Sequence, residues 1–334
     1  MTATSSQYNR ISVIGAGAWG TALATVLTRP GRQVTLWARE AETAEAITHS
    51  NENPHFLPNI PLPPSLSATT TFEHLAQAQA ILMVAPAQHV RHVLELMRPH
   101  VTDGTPIVLC SKGIEQTTSL LMSEVLAQTL PGAAPAVLSG PSFAKDVARG
   151  LPTAVTLAAE ASISHNLAAA LGRETFRIYV TDDVIGAEIG GAVKNVLAIA
   201  CGIVEGRALG DSARAALIAR GFAEVQRLAA SFGARPETLE GLSGLGDLIL
   251  TCTSRQSRNM SLGLALGQGQ SLSEIMAARN TVAEGVHTAA AVAALATRHD
   301  VDMPICQAIN TIVTGHWSVD QAIHALLSRP VSDE

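Results

Sequence analysis

The stretch that most constrains the fold is Ile11-Ser-Val-Ile-Gly15-Ala-Gly17-Ala-Trp-Gly20-Thr-Ala-Leu-Ala, an apolar run, a glycine turn and a helix start in that order. Gly15 permits the tight turn, Gly17 lets backbone approach a pyrophosphate, and Gly20 allows close packing of helix on strand. The helix N-terminus then faces an anion. A chain that opens this way is expected to build a parallel sheet with helices on both faces and to bind a dinucleotide there.

The rest of the first half keeps that rhythm. Short Val-, Ile- and Leu-rich runs at Ile11–Ile14, Gln33–Trp37, Ala80–Val84, Pro106–Cys110, Ala136–Leu138, Ala154–Leu157 and Arg177–Val180 alternate with helical patterns, as strands of a doubly wound sheet should. Prolines 54, 58, 61, 63 and 64 make the segment 53–64 an ordered or semi-rigid loop. From Thr181-Asp182-Asp183, an N-cap with an acidic first turn, the texture becomes helical to Ser328. Two domains are therefore expected, 1–181 for the dinucleotide and 182–334 all-helical, and 334 residues suffice for both.

Composition narrows the function. Hydrophobic residues are 47% and charged residues 15%, which excludes disorder. The net charge of −6, the lack of a basic run and an aromatic share of 3% argue against a nucleic-acid partner. The N-terminus lacks a signal-peptide pattern, and no uncharged apolar run approaches a span of about 20 residues. Cys110, Cys201, Cys252 and Cys306 have no metal or redox spacing and read as buried thiols in a reducing compartment. His89 and His92 are three apart, yet no third ligand has matching spacing. A cytoplasmic protein without metal or membrane span is expected.

Two ionisable groups stand alone in apolar sequence. Lys194 is the only charge between Ile189 and Val204. An ammonium held in such a helix is desolvated, and its pKa moves toward acid–base range. A lysine snorkelling to solvent is the competing reading. Asp247 is the only charge between Gly241 and Thr253. A buried aspartate requires a cation, for which Lys194 is the candidate, although a plain helix cap would also place Asp247 there.

Other candidates sit at strand ends and in one loop. Lys112 in Ser111-Lys112-Gly113 follows a strand, and Ser142 in Ser139-Gly140-Pro141-Ser142 follows another, so both should face the ligand crevice. Ser257-Arg258-Asn259 joins a forked cation to two neutral hydrogen-bonding groups, a composition suited to a phosphate monoester. Arg39, about 20 residues past the glycines, suits a 2′-phosphate and favours NADP(H), while the adjacent Glu40 leaves NAD(H) open.

Taken together, GAGAWG at 15–20, SKGIE at 111–115, SGPSFAKD at 139–146, GGAVKNV at 190–196, GLGDLILTCTSRQSRN at 244–259 and AEG at 283–285 resemble the NAD(P)-dependent glycerol-3-phosphate dehydrogenases of the bacterial, lipid-biosynthetic type. The resemblance implies a Rossmann-type, mostly parallel sheet followed by an all-α domain. It also implies reversible reduction of dihydroxyacetone phosphate to sn-glycerol 3-phosphate by NADH or NADPH, supplying phospholipid synthesis. It puts Lys194 on the proton donor and acceptor, and Lys112 on the residue touching substrate and nicotinamide. Gly140, Ser142, Asp247, Ser257, Arg258 and Asn259 fall on substrate contacts. Ala18, Trp19, Arg39, Ala144, Arg258, Val282 and Glu284 fall on dinucleotide contacts, beside Gly15, Gly17 and Gly20. Asp146 stands where the family pattern has glutamate. A homodimer is the expected assembly. The competing readings are a two-domain dehydrogenase of the 6-phosphogluconate or 3-hydroxyacid kind, and a dinucleotide-binding redox sensor without turnover.

Overall fold

The computed structural model describes residues 8–278 and 283–330. The chain divides into two compact units, residues 1–111 with 121–187 and residues 112–120 with 188–334. The division falls in the first turn of the helix Val184–Gly206, just after the sequence boundary at 181/182. The nine-residue segment that begins at Lys112 groups with the helices of the second unit.

The first unit is built on eight strands, β1 (Arg10–Ile14), β2 (Gln33–Trp37), β3 (Ser67–Thr69), β4 (Ala80–Met83), β5 (Pro106–Leu109), β6 (Ala134–Ser139), β7 (Thr153–Ala159) and β8 (Phe176–Thr181). Their spatial order is β3-β2-β1-β4-β5-β6-β7-β8. All neighbours pair parallel except β6 and β7, which run antiparallel with Leu138 opposite Leu157. The mostly parallel, doubly wound sheet expected from the apolar runs is present. β4 and β5 are buried along their whole length, which explains why they read as unbroken apolar runs.

β3 is the strand that the sequence reading does not contain. Ser67–Thr69 is short and half-exposed, so no apolar run marks it. It exists because β2 offers an open edge, with Thr35 opposite Ser67 and Trp37 opposite Thr69. The proline-rich loop before it is ordered, as expected. Leu57, Ile60 and Leu62 are buried in the sheet's core, and Asn53 bridges to Leu57.

The second unit consists of helices. Val184–Gly206 runs 23 residues and, by length and a mean hydropathy of 1.5, is apolar enough to cross a membrane. It carries Glu188, Lys194 and Glu205, however, and its most apolar stretch is 89% buried inside the protein, as in a core helix. It lies against the helix Arg258–Gly267 at backbone contact. A Cβ on Gly202 would come within 2.9 Å of the Gly263 carbonyl carbon, and one on Gly206 within 2.9 Å of the Gly267 Cα. Two glycine pairs thus let the helices approach more closely than side chains would allow. That approach sets Asn259, in the first turn of the second helix, beside Asn195 of the first.

Candidate active site

In the first unit the glycine turn has the geometry that a pyrophosphate needs. Gly15 has φ +114°, a value that side chains rarely adopt. A Cβ on Gly20 would run into the Gly15 carbonyl, whereas beside Gly17 there is open space. Gly17 is the N-cap of the helix Ala18–Leu27, which no side chain caps, so the N–H groups of its first turn are available to an anion. Trp19 in that turn buries its Nε1 without a hydrogen-bond acceptor among the described residues. These residues fit a dinucleotide.

The other first-unit candidates lie at strand ends. Arg39 follows β2 with a side chain 77% exposed, and its Nε donates to Glu40 Oε1 at 2.7 Å. Gly140 and Ser142 follow β6. Gly140 has φ +145°, and a Cβ there would meet the Val155 Cα at 2.9 Å, so glycine is required. Ser142 Oγ donates to the Gly140 carbonyl at 3.1 Å, and Ala144 opens the short helix Ala144–Ala148.

In the second unit one carboxylate gathers two ammonium groups. Asp247 is the first residue of the helix Asp247–Thr253 and its side chain is 2% exposed. Its Oδ1 accepts from Lys194 Nζ at 2.7 Å and its Oδ2 from Lys112 Nζ at 2.7 Å. The aspartate is therefore no mere cap, and the lysine does not snorkel to solvent. Thr251 lies one helical turn after Asp247, where it accepts from Lys194 Nζ at 2.8 Å and donates to Asp247 Oδ1 at 3.3 Å. A close approach of backbones seats this helix's entry: a Cβ on Gly190 would meet the Ser243 carbonyl oxygen at 2.7 Å.

The electrostatics follow from burial. Burial, helped by the neighbouring Lys112, holds Lys194 at about 8 instead of 10.5, against the upward pull of Asp247. Burial pushes Asp247 up, but Lys112 and Lys194 together hold it below the ordinary carboxylate range. At neutral pH Asp247 is therefore ionised and Lys194 mostly protonated, an ion pair held inside the protein.

A chain of amides holds this cluster. Asn195 Nδ2 donates to the Lys112 carbonyl at 2.9 Å, Asn259 Nδ2 donates to Asn195 Oδ1 at 2.9 Å, and the Gly285 N–H donates to Asn259 Oδ1 at 3.0 Å. Ser257 Oγ caps the helix Arg258–Gly267 by accepting from the Met260 N–H at 3.2 Å. Arg258 is the exposed first residue of that helix. Glu284 begins the helix Glu284–Arg298, and Val282 lies outside the described residues.

The sequence reading paired Asp247 with Lys194 alone; Lys112 as its second partner was missed, because 135 residues separate the two. Thr251 and Asn195 were missed as well. The first could have been found from its i+4 spacing to Asp247 and the second from its adjacency to Lys194. Among the described residues no group of three His, Cys, Asp or Glu side chains gathers as a metal site.

Comparison with known proteins decides the family. The models for the N-terminus and the C-terminus of NAD-dependent glycerol-3-phosphate dehydrogenase match residues 10–164 and 183–324. The chain belongs to the NAD-dependent glycerol-3-phosphate dehydrogenase family. Glycerol-3-phosphate dehydrogenase [NAD(P)+] of Parvibaculum lavamentivorans is 61% identical over 98% of both chains. That of Maricaulis maris is 59% identical over 98% of this chain and 99% of its own. The crystal structure of glycerol-3-phosphate dehydrogenase from Coxiella burnetii superposes with a TM-score of 0.92 at 43% identity, covering 96% of this chain and 99% of that one. As a member of the glycerol-3-phosphate dehydrogenase family, the chain is an NAD(P)-dependent oxidoreductase. The sibling reading, a dehydrogenase of the 6-phosphogluconate or 3-hydroxyacid kind, falls away.

Proposed function

We propose that this enzyme reduces dihydroxyacetone phosphate to sn-glycerol 3-phosphate with Lys194 as the general acid, and that Lys194 acts as general base in the reverse direction. The observation that carries the proposal is the Lys194–Asp247–Lys112 cluster around a buried carboxylate, with 2.7 Å on each side of it. NAD(P)H, when bound, supplies hydride to the carbonyl carbon. Lys194 gives its Nζ proton to the carbonyl oxygen as negative charge develops there. A pKa near 8 suits this task, because at neutral pH the lysine is protonated yet gives up its proton more readily than a solvated one.

The remaining residues serve that transfer. Asp247 keeps Lys194 charged and aimed, and Thr251 fixes a second of its three N–H directions. Lys112 adds positive charge that favours the developing alkoxide. Arg258, at a helix N-terminus, is the proposed phosphate ligand, with Ser257 and Asn259 beside it. Gly140 and Ser142 are proposed as further substrate contacts. Arg39, Ala144, Val282 and Glu284 are proposed to join the glycine turn in holding the dinucleotide. A redox sensor without turnover has no use for a buried lysine and a part-buried one on a single buried carboxylate, whose desolvation is costly.

Cytoplasmic location and supply of glycerol 3-phosphate for phospholipids complete the proposal. The four free, buried thiols support the reducing compartment. Sedimentation velocity tests the proposed homodimer. The deciding assay is NADPH and NADH oxidation with dihydroxyacetone phosphate, set beside the same assay with Lys194→Ala. Loss of turnover only in the variant supports the reading, and wild-type protein without turnover overturns it.

A further inference from the structure

Asn53 lies in the proline-rich loop, 37 residues from the glycine turn, and its side chain is fully buried. Its Nδ2 donates to the Ala16 carbonyl at 2.9 Å and to Thr21 Oγ1 at 2.8 Å, while its Oδ1 accepts from the Phe56 N–H at 3.2 Å. Both amide hydrogens and the oxygen are therefore engaged. Thr21 also donates to the Ala16 carbonyl, at 3.3 Å. Ala16 is the residue between the two turn glycines, and its carbonyl belongs to the same peptide unit as the Gly17 N–H.

In a trans peptide the C=O and the following N–H point in opposite directions. No peptide bond here is cis. Two donors that hold the Ala16 carbonyl consequently turn the Gly17 N–H to the opposite side, away from Asn53 and Thr21. This peptide is bounded by Ala16 and Gly17, and the glycine, having no Cβ, leaves its orientation to be fixed by such contacts. We propose that Asn53 is a positioning residue for the dinucleotide: it locks the Ala16–Gly17 peptide so that its N–H is presented to the pyrophosphate before the cofactor arrives. The inference rests on the dinucleotide reading of the glycine turn and adds to it a residue that lies outside the turn.

Pyrophosphate preorganisation has a signature that a purely structural role lacks. ADP carries the pyrophosphate and AMP does not, so the two probes should separate. Calorimetric titration of the wild type and of Asn53→Leu, with folding checked by thermal melting, should show the ADP Kd raised about tenfold, the scale of one lost hydrogen bond. AMP binding should stay within about twofold, a change well under the worth of one such bond. NADH and NADPH should weaken by the same factor as ADP, because both share the pyrophosphate. Thr21→Val, which keeps the buried volume and removes one donor to Ala16, should act in the same direction by a smaller factor and decides the matter if Asn53→Leu does not fold. ADP binding unchanged in a folded variant, or ADP and AMP weakened alike, overturns the role of Asn53. Wild-type protein that binds neither ADP nor NADPH would instead overturn the dinucleotide reading itself.

Discussion

Lys194 and Asp247 face each other from two different helices, Nζ to Oδ1 at 2.7 Å, with side chains 8% and 2% exposed. At this burial the cost of desolvating the two charges rivals the attraction between them. Each partner would be costly alone, and together they set the protonation of the group proposed to do the chemistry.

The pH profile follows from that setting. Lys194 must be protonated to act as an acid, so kcat/KM for ketone reduction should fall as pH rises through about 8. For alcohol oxidation the free amine is required, and kcat/KM should rise through the same pH. Lys194→Ala should lower kcat by about 10²-fold or more and leave NADPH affinity nearly unchanged. Initial rates across pH in both directions, with cofactor titration of the variant, check all three outcomes; a profile flat from neutral to alkaline pH would remove Lys194 from the acid–base role.

Asp247 raises the Lys194 pKa, so Asp247→Asn should move the alkaline limb of the reduction profile to lower pH. Asp247→Ala should cost stability too, because it leaves Lys194 buried without its carboxylate and beside the part-buried Lys112. Breaking such a pair costs about 3–5 kcal/mol. Adding Lys112→Met should return part of it, which a double-mutant cycle in urea reads directly. A loss below about 1 kcal/mol, the value of a solvated ion pair, would show that water reaches the cluster.

Arg258 should act through the substrate's phosphate. Arg258→Ala is expected to depress kcat/KM for dihydroxyacetone phosphate strongly, through kcat as well as KM, because a fixed phosphate holds the carbonyl in line. Turnover of unphosphorylated dihydroxyacetone should scarcely change. Steady-state kinetics with both ketones, beside NADPH affinity in the same variant, separates a phosphate role from a cofactor role; equal losses with both ketones would remove the phosphate role.

Cofactor choice should depend on Arg39. Its guanidinium rests on Glu40 in an exposed pair of the kind worth at most about 1 kcal/mol, which a 2′-phosphate can displace. Arg39→Asp should therefore cost NADPH about 1.5–3 kcal/mol in kcat/KM, the value of a hydrogen bond to a charged group, and NADH far less. Parallel kinetics with the two cofactors measure it, and equal losses would mean that Arg39 does not read the phosphate.

Much of the architecture was open to reading because local patterns carry it. Seven strands follow apolar runs, most plainly β4 and β5, which are covered on both faces and so apolar throughout, and the glycine turn announces itself because only glycine tolerates its backbone. β3 was not legible: three half-exposed residues owe their strand form to the open edge of β2.

The candidate site divides in the same way. Sequence alone singled out Lys194 and Asp247 as candidate partners, because each is a lone charge in an apolar stretch, and the structure decided for the pair over a snorkelling lysine and a plain helix cap. Only the tertiary structure decided that Lys112 shares the carboxylate, that Thr251 and Asn195 complete the network, and that Asn259 braces Asn195 instead of standing alone in a loop. Those contacts join residues tens to more than a hundred positions apart. The last of them arises from two helices brought to backbone contact by Gly202, Gly206, Gly263 and Gly267, a closeness of approach that no local periodicity encodes.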